Sequence, residues 1–150
     1  MQSGYEIRVS ESEPLLQKGK KLEWSSGKIS SDQSVHVDYK GIPLQSNKKY
    51  YWQVKVWGND GSASQWSQPA FFQTALLHTN DWKAKWIEPG YTEDSILRKS
   101  PLFRKQFTDR KEIKSATAYI TPHGSYEAEI NGQRVVDAYF TPGWTSLCCT

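Results

Sequence analysis

"KKYYWQVKVWGNDGSASQWS", Lys48 to Ser67, sets three tryptophans and two tyrosines within twenty residues. Rings at this density either line a sugar-binding face or build a core, and periodicity separates the two. Alternation places Tyr50, Trp52, Val54 and Val56 on one face of a strand, with Tyr51, Gln53, Lys55 and Trp57 on the other. The first set is uniformly bulky and apolar, so it reads as core. The second is mixed, as a solvent face is. Asp60-Gly61 is then a hairpin signal, and "QWSQPAFFQT" reads as the returning strand. Trp52 is therefore expected inside, and the outward Trp57 stays open to either reading.

The same alternation recurs on both sides. "YEIRVS" sets Tyr5, Ile7 and Val9 against Glu6, Arg8 and Ser10, and "SVHVDY" sets Val35, Val37 and Tyr39 against Ser34, His36 and Asp38. The only helical candidate is "EPLLQKGKK", a turn or two ended by Gly19. Further on, Asn131-Gly132 is the strongest short hairpin signal, a two-residue turn with positive φ at both positions. Counting outward pairs Ile130 with Gln133, Glu129 with Arg134, and Ala128 with Val135. The fold class is all-β.

Composition removes several classes of function. A chain of 150 residues holds one medium domain or two small ones. No run approaches the roughly 20 apolar residues of a membrane-spanning helix, and "MQSGYEIRVSESE" has no apolar core of a signal peptide. The net charge of +3 is small and the lysines are scattered. The densest run, "KGKK" (Lys18 to Lys21), reads as a solvated turn, so neither nucleic acid nor a membrane is an expected partner. Cys148 and Cys149 are adjacent and cannot staple a fold. His36, His78 and His123 lack a second ligand at metal spacing, so no metal or cofactor is expected. Glu127 and Glu129 stand two apart on one strand, near the roughly 5 to 9.5 Å separation of glycosidase carboxyl pairs. Arg134 lies opposite Glu129, however, and a cross-strand ion pair on a solvated face explains these acids. No catalytic residue is assigned.

Three sets of residues carry a family resemblance. Tyr50-x-Trp52-x-Val54-x-Val56, a hairpin and "SQWS" resemble the last two strands of a fibronectin type III sandwich, with Tyr50 at the corner tyrosine. "SASQWS" also resembles half of the Trp-Ser-x-Trp-Ser element of cytokine receptors. Ala63 replaces its first tryptophan, so only Trp66 is left to stack on a cation such as Lys55. The junction Asp81, Trp82, Ala84, Trp86 and Ile87, the hairpin set Gly124, Tyr126, Asn131, Gly132 and Val135, and the element Pro142 to Thr145 follow in order. Together they resemble the N-terminal non-catalytic region of bacterial α-L-rhamnosidases.

The resemblance implies a fibronectin type III-like module over residues 1–78 and the N-terminal part of a second, jelly-roll-like β-sandwich over 79–150. The first module lacks room for two early strands before Tyr5, and "SLCCT" departs from the family pattern, so both modules are expected to be cut short. The implied function is scaffolding or carbohydrate positioning in a glycoside hydrolase whose catalytic barrel of paired helices lies elsewhere. The implied partners are the rest of that polypeptide and a rhamnose-containing polysaccharide. Trp57, Tyr126 and Trp144 are the candidate carbohydrate contacts. The alternative is a free-standing adhesion or protein-interaction module. The compartment stays open: bacterial cytoplasm if the chain is complete, periplasm or the exterior if it is truncated.

Overall fold

The computed structural model describes residues 1–92, 94, 96–97, 99–110 and 112–141. The chain divides into two compact units, the first Met1–Ile87 and the second beginning at Glu88. Segment 79–87, expected to open the second domain, thus falls with the first unit, held at its start by hydrogen bonds from Ser46 and His78 to Asp81.

The first unit is built on one antiparallel sheet in the order β2-β1-β3-β4: β1 (Gln2–Ser10), β2 (Trp24–Ser25), β3 (Lys49–Gly58) and β4 (Ala70–Gln73). β1 and β3 form its centre, with Tyr5 opposite Val56, Ile7 opposite Val54 and Val9 opposite Trp52. Residues directly opposite share a face, so these six side chains make one apolar surface. Tyr50, 2% exposed, extends it and stacks on Phe72 of β4 at a ring distance of 5.6 Å. The corner tyrosine is confirmed: the Tyr50 hydroxyl accepts a hydrogen bond from the Gln45 amide at 3.0 Å.

The other face departs from the solvent face expected of it. Helix α1 (Glu13–Gln17) packs against β1 and β3 there, with Leu16 fully buried. Gln53 is only 2% exposed beneath it, its side-chain amide directed at the Leu16 carbonyl. The helix ends where Gly19 was expected to end it. Gly19 takes φ +62, its amide reaches the Leu16 carbonyl, and the Lys20 amide reaches that of Leu15, a left-handed glycine cap.

The edge of β3 beyond β4 is closed by a loop instead of a strand. The Ser64 and Ser67 amides donate to the carbonyls of Val56 and Val54. Their hydroxyls accept from the Val56 and Val54 amides, both at 3.1 Å. Each serine thus satisfies both backbone groups of one strand residue, which an open edge would leave unpaired.

Two expectations need correction. "SVHVDY" is not a strand: alternation describes faces, but a ladder needs a partner, and no described residue pairs with it. His36 takes φ 54 within it, and the Gln33 side-chain amide bonds the carbonyls of Val35 and His36 at 3.0 Å. Trp52 is on the predicted face, yet it is 36% exposed. That face opens on a cavity of about 470 Å³ between the sheet and segment 33–39.

In the second unit, β5 (Glu129–Ile130) and β6 (Gln133–Arg134) form the predicted hairpin in the predicted register. Asn131 and Gly132 both take positive φ, 53 and 75, and the Val135 amide continues the pairing to the Ala128 carbonyl. No described residue of this unit is buried; Leu102 is 94% exposed.

Candidate functional site

The outward aromatics form a ladder with cations between them. β1 and β3 place Arg8 and Lys55 on the same face as Trp57, and the loop that closes the edge lays Trp66 over them. The Arg8 guanidinium sits 4.0 Å from the Trp66 ring centroid, whereas Lys55, the cation expected there, is 6.0 Å away. Arg8 is steadied by Glu6 at 3.0 Å. Trp57 has Lys28 at 4.8 Å and Lys55 at 5.5 Å. Such contacts are worth about 0.5–1 kcal/mol each at exposed positions.

Of the other candidate sugar contacts, Tyr126 pairs with Thr141, its amide donating to the Thr141 carbonyl at 2.9 Å. It lines a small cavity of about 50 Å³ with Ala118, Ile120 and Val135. Trp144 and the Pro142–Thr145 element lie outside the described residues. Trp57 and Tyr126 belong to separate units, and no described geometry brings the three together.

Arg134 makes its ion pair with Glu127, at 3.6 Å, in place of the Glu129 directly opposite it. A long side chain reaches the diagonal neighbour as readily as the opposite one. Its guanidinium also covers the Tyr139 ring at 4.0 Å. Where carboxyl groups of the described residues are displaced from their ordinary range, hydrogen bonds hold them down. Ser62 does so for Asp60, Ser46 first and then the His78 amide for Asp81, and the amides of Ile96 and Leu97 for Asp94. Among the described residues, no group of three metal-ligating side chains occurs.

Periodicity did not reveal the cavity of about 470 Å³ on the inner face. Tyr5, Trp24, Tyr39, Trp52 and Phe72 supply its aromatic rings, and no Asp, Glu, Lys or Arg lines it. The apolar face that lines it was legible from the alternation of β1 and β3, but the gap over that face was not.

Comparison with known proteins decides what these pieces belong to. Residues 1–78 match the family described as the Rha78A-like, N-terminal immunoglobulin domain, and residues 111–149 match the alpha-L-rhamnosidase N-terminal domain. The chain belongs to the family of the Rha78A-like, N-terminal immunoglobulin domain. An alpha-L-rhamnosidase of Formosa agariphila is 42% identical over 96% of this chain, and one of Streptomyces avermitilis is 45% identical over 89%. The chain spans only 16% and 15% of those relatives' lengths. The crystal structure of the S. avermitilis enzyme complexed with L-rhamnose is 44% identical, with a TM-score of 0.53 over 58% of this chain and 8% of its own. The Dictyoglumus thermophilum α-L-rhamnosidase structure gives a TM-score of 0.54 at 33% identity, over 58% of this chain and 10% of its own. The domain carrying Tyr50 thus matches a family described as immunoglobulin-like, a class that shares its two-sheet plan with the fibronectin type.

Proposed function

We propose that the chain is a non-catalytic scaffold portion of an α-L-rhamnosidase-like glycoside hydrolase. In this reading residues 1–78 form the immunoglobulin-like domain, 79–87 are a junction packed with it, and the residues beyond belong to a second, jelly-roll-like β-sandwich. The observation that carries it is the apolar face of β1 and β3, open on a cavity of about 470 Å³. A soluble protein covers such a face, and a chain spanning 16% of its relative's length has ample further polypeptide in the family to cover it. The partner is that remainder, including a catalytic barrel, and the whole enzyme's substrate is a rhamnose-containing polysaccharide.

The cations over Trp57 and Trp66 favour a structural ladder over a sugar platform. Incubation of the purified chain with an aryl α-L-rhamnoside tests the proposal, and no turnover is expected. Turnover that disappears in Glu127→Gln or Glu129→Gln would place the catalytic pair in the β5–β6 hairpin and overturn it.

A further inference from the structure

Asp81 opens the Asp-Trp-x-Ala-x-Trp-Ile junction, and its carboxylate is turned back onto the first unit. The Ser46 hydroxyl donates to Oδ2 of Asp81, and the His78 amide donates to the same oxygen at 3.1 Å. Ser46 Oγ in turn accepts the Leu77 amide at 2.8 Å. One hydroxyl and one carboxylate oxygen thus bind two successive amides of the connector and each other. A short 3-10 turn, Thr79–Asp81, follows directly, its bonds running from the Asp81 amide to His78 and from the Trp82 amide to Thr79.

The loop that carries Ser46 is itself anchored to the core. The Gln45 amide donates to the Tyr50 hydroxyl at 3.0 Å. The Thr74 hydroxyl accepts the Lys48 amide at 2.9 Å, and the Asn47 amide reaches the Ala75 carbonyl at 3.1 Å. Tyr50 and Thr74 are both buried. Hydrogen bonds at Gln45, Asn47 and Lys48 therefore fix the loop to the core on both sides of Ser46, whose hydroxyl reaches Asp81.

We propose that Leu77 to Trp82 is a splint, clasped by Ser46 and Asp81 to the corner of the immunoglobulin-like domain, so that the chain leaves this domain in one set direction. The clasp works as a unit because each side chain orients the other: without the Asp81 oxygen, the Ser46 hydroxyl loses the acceptor that fixes its rotamer. Asp81 is a positioning residue here and touches no substrate.

Hydrogen exchange on the full chain, resolved to single amides, tests this. Ser46→Ala removes the acceptor of Leu77, and Asp81→Ala removes that of His78. If the two form one clasp, each variant also speeds exchange at the amide it does not touch, by about tenfold, as local opening replaces two independent bonds. Asp81→Asn, which retains an acceptor oxygen, keeps wild-type exchange at both amides. Amides of β1 and β3 stay as protected as in wild type, which shows that each variant is folded. Effects confined to the directly bonded amide in each variant would overturn the proposal. So would wild-type exchange rates of Leu77 and His78 that match those of an unstructured peptide.

Discussion

Tyr50 and Trp52 share a strand face and a residue class, yet their surroundings predict different costs of truncation. Tyr50 is enclosed, stacked on Phe72 and bonded to the Gln45 amide. Tyr50→Phe removes only that acceptor and is expected to lower stability by about 0.5–1.5 kcal/mol. Tyr50→Ala, which leaves a closed void, is expected to lower it by about 3–5 kcal/mol. Trp52 stands at the mouth of an open cavity, where truncation encloses no new void. Trp52→Ala is therefore expected to cost about 1–3 kcal/mol, from lost area alone at about 25 cal/mol per Å². Urea unfolding of the three variants, followed by tryptophan fluorescence in the Tyr50 pair and by circular dichroism in all, gives the ranking. A Trp52→Ala loss as large as that of Tyr50→Ala would mean that the inner face is covered.

At the scale of elements, the connector responds to pH through Asp81. The Ser46 hydroxyl, before any other group, holds its carboxyl below the ordinary carboxylate value, and the His78 amide adds to this. A carboxyl depressed on folding stabilises the fold above its unfolded pKa of about 3.9, and that contribution fades as pH falls through the folded value. The difference in melting temperature between wild type and Asp81→Ala is thus expected at pH 6 and narrows from about pH 4 downward. Asp60 and Asp94 titrate in the same window but are common to both proteins, so the difference isolates Asp81. A difference that widens on acidification would reverse the sign and refute the clasp as the cause.

The elements also show where sequence reading succeeds. The Asn131-Gly132 hairpin and the Gly19 helix end were legible because each is decided by a few adjacent residues with special backbone freedom. The inner face of β3 was legible because alternation defines it. The pairing state of 34–39 was not, since a strand is a property of two segments. The burial of Gln53 was hidden because a helix from a distant part of the chain covers it. The clasp joins residues 35 positions apart, and no local pattern encodes that. For the candidate sugar contacts, the rings were legible but the cations stacked on Trp57 were not.

For the whole molecule, apolar surface is the governing quantity. Ile96, Leu102 and Phe107 stand well exposed in the second unit, and the inner face of the first is open. Domain stability is only about 5–15 kcal/mol, so surface left uncovered on this scale weighs heavily. The chain alone is expected to bind a hydrophobic dye and to elute from size exclusion ahead of a 17.2 kDa monomer. Supplying the remaining domains of a rhamnosidase in the same polypeptide is expected to abolish the dye signal. A sharp monomer peak without dye binding would show that these faces need no cover, and would favour the free-standing module.

The two serines that close the edge of β3 bear on how this domain tolerates change. Beyond the Asn59–Ser62 turn, Ser64 and Ser67 anchor the returning loop to β3 through both amide and hydroxyl, so its alignment does not rest on the turn alone. Gly61, at φ +79, has open space around it. The tip is thus a natural docking port for foreign sequence. A short epitope spliced between Asp60 and Ser62 is expected to leave the melting temperature nearly unchanged, whereas the same splice in a Ser64→Ala, Ser67→Ala background lowers it steeply.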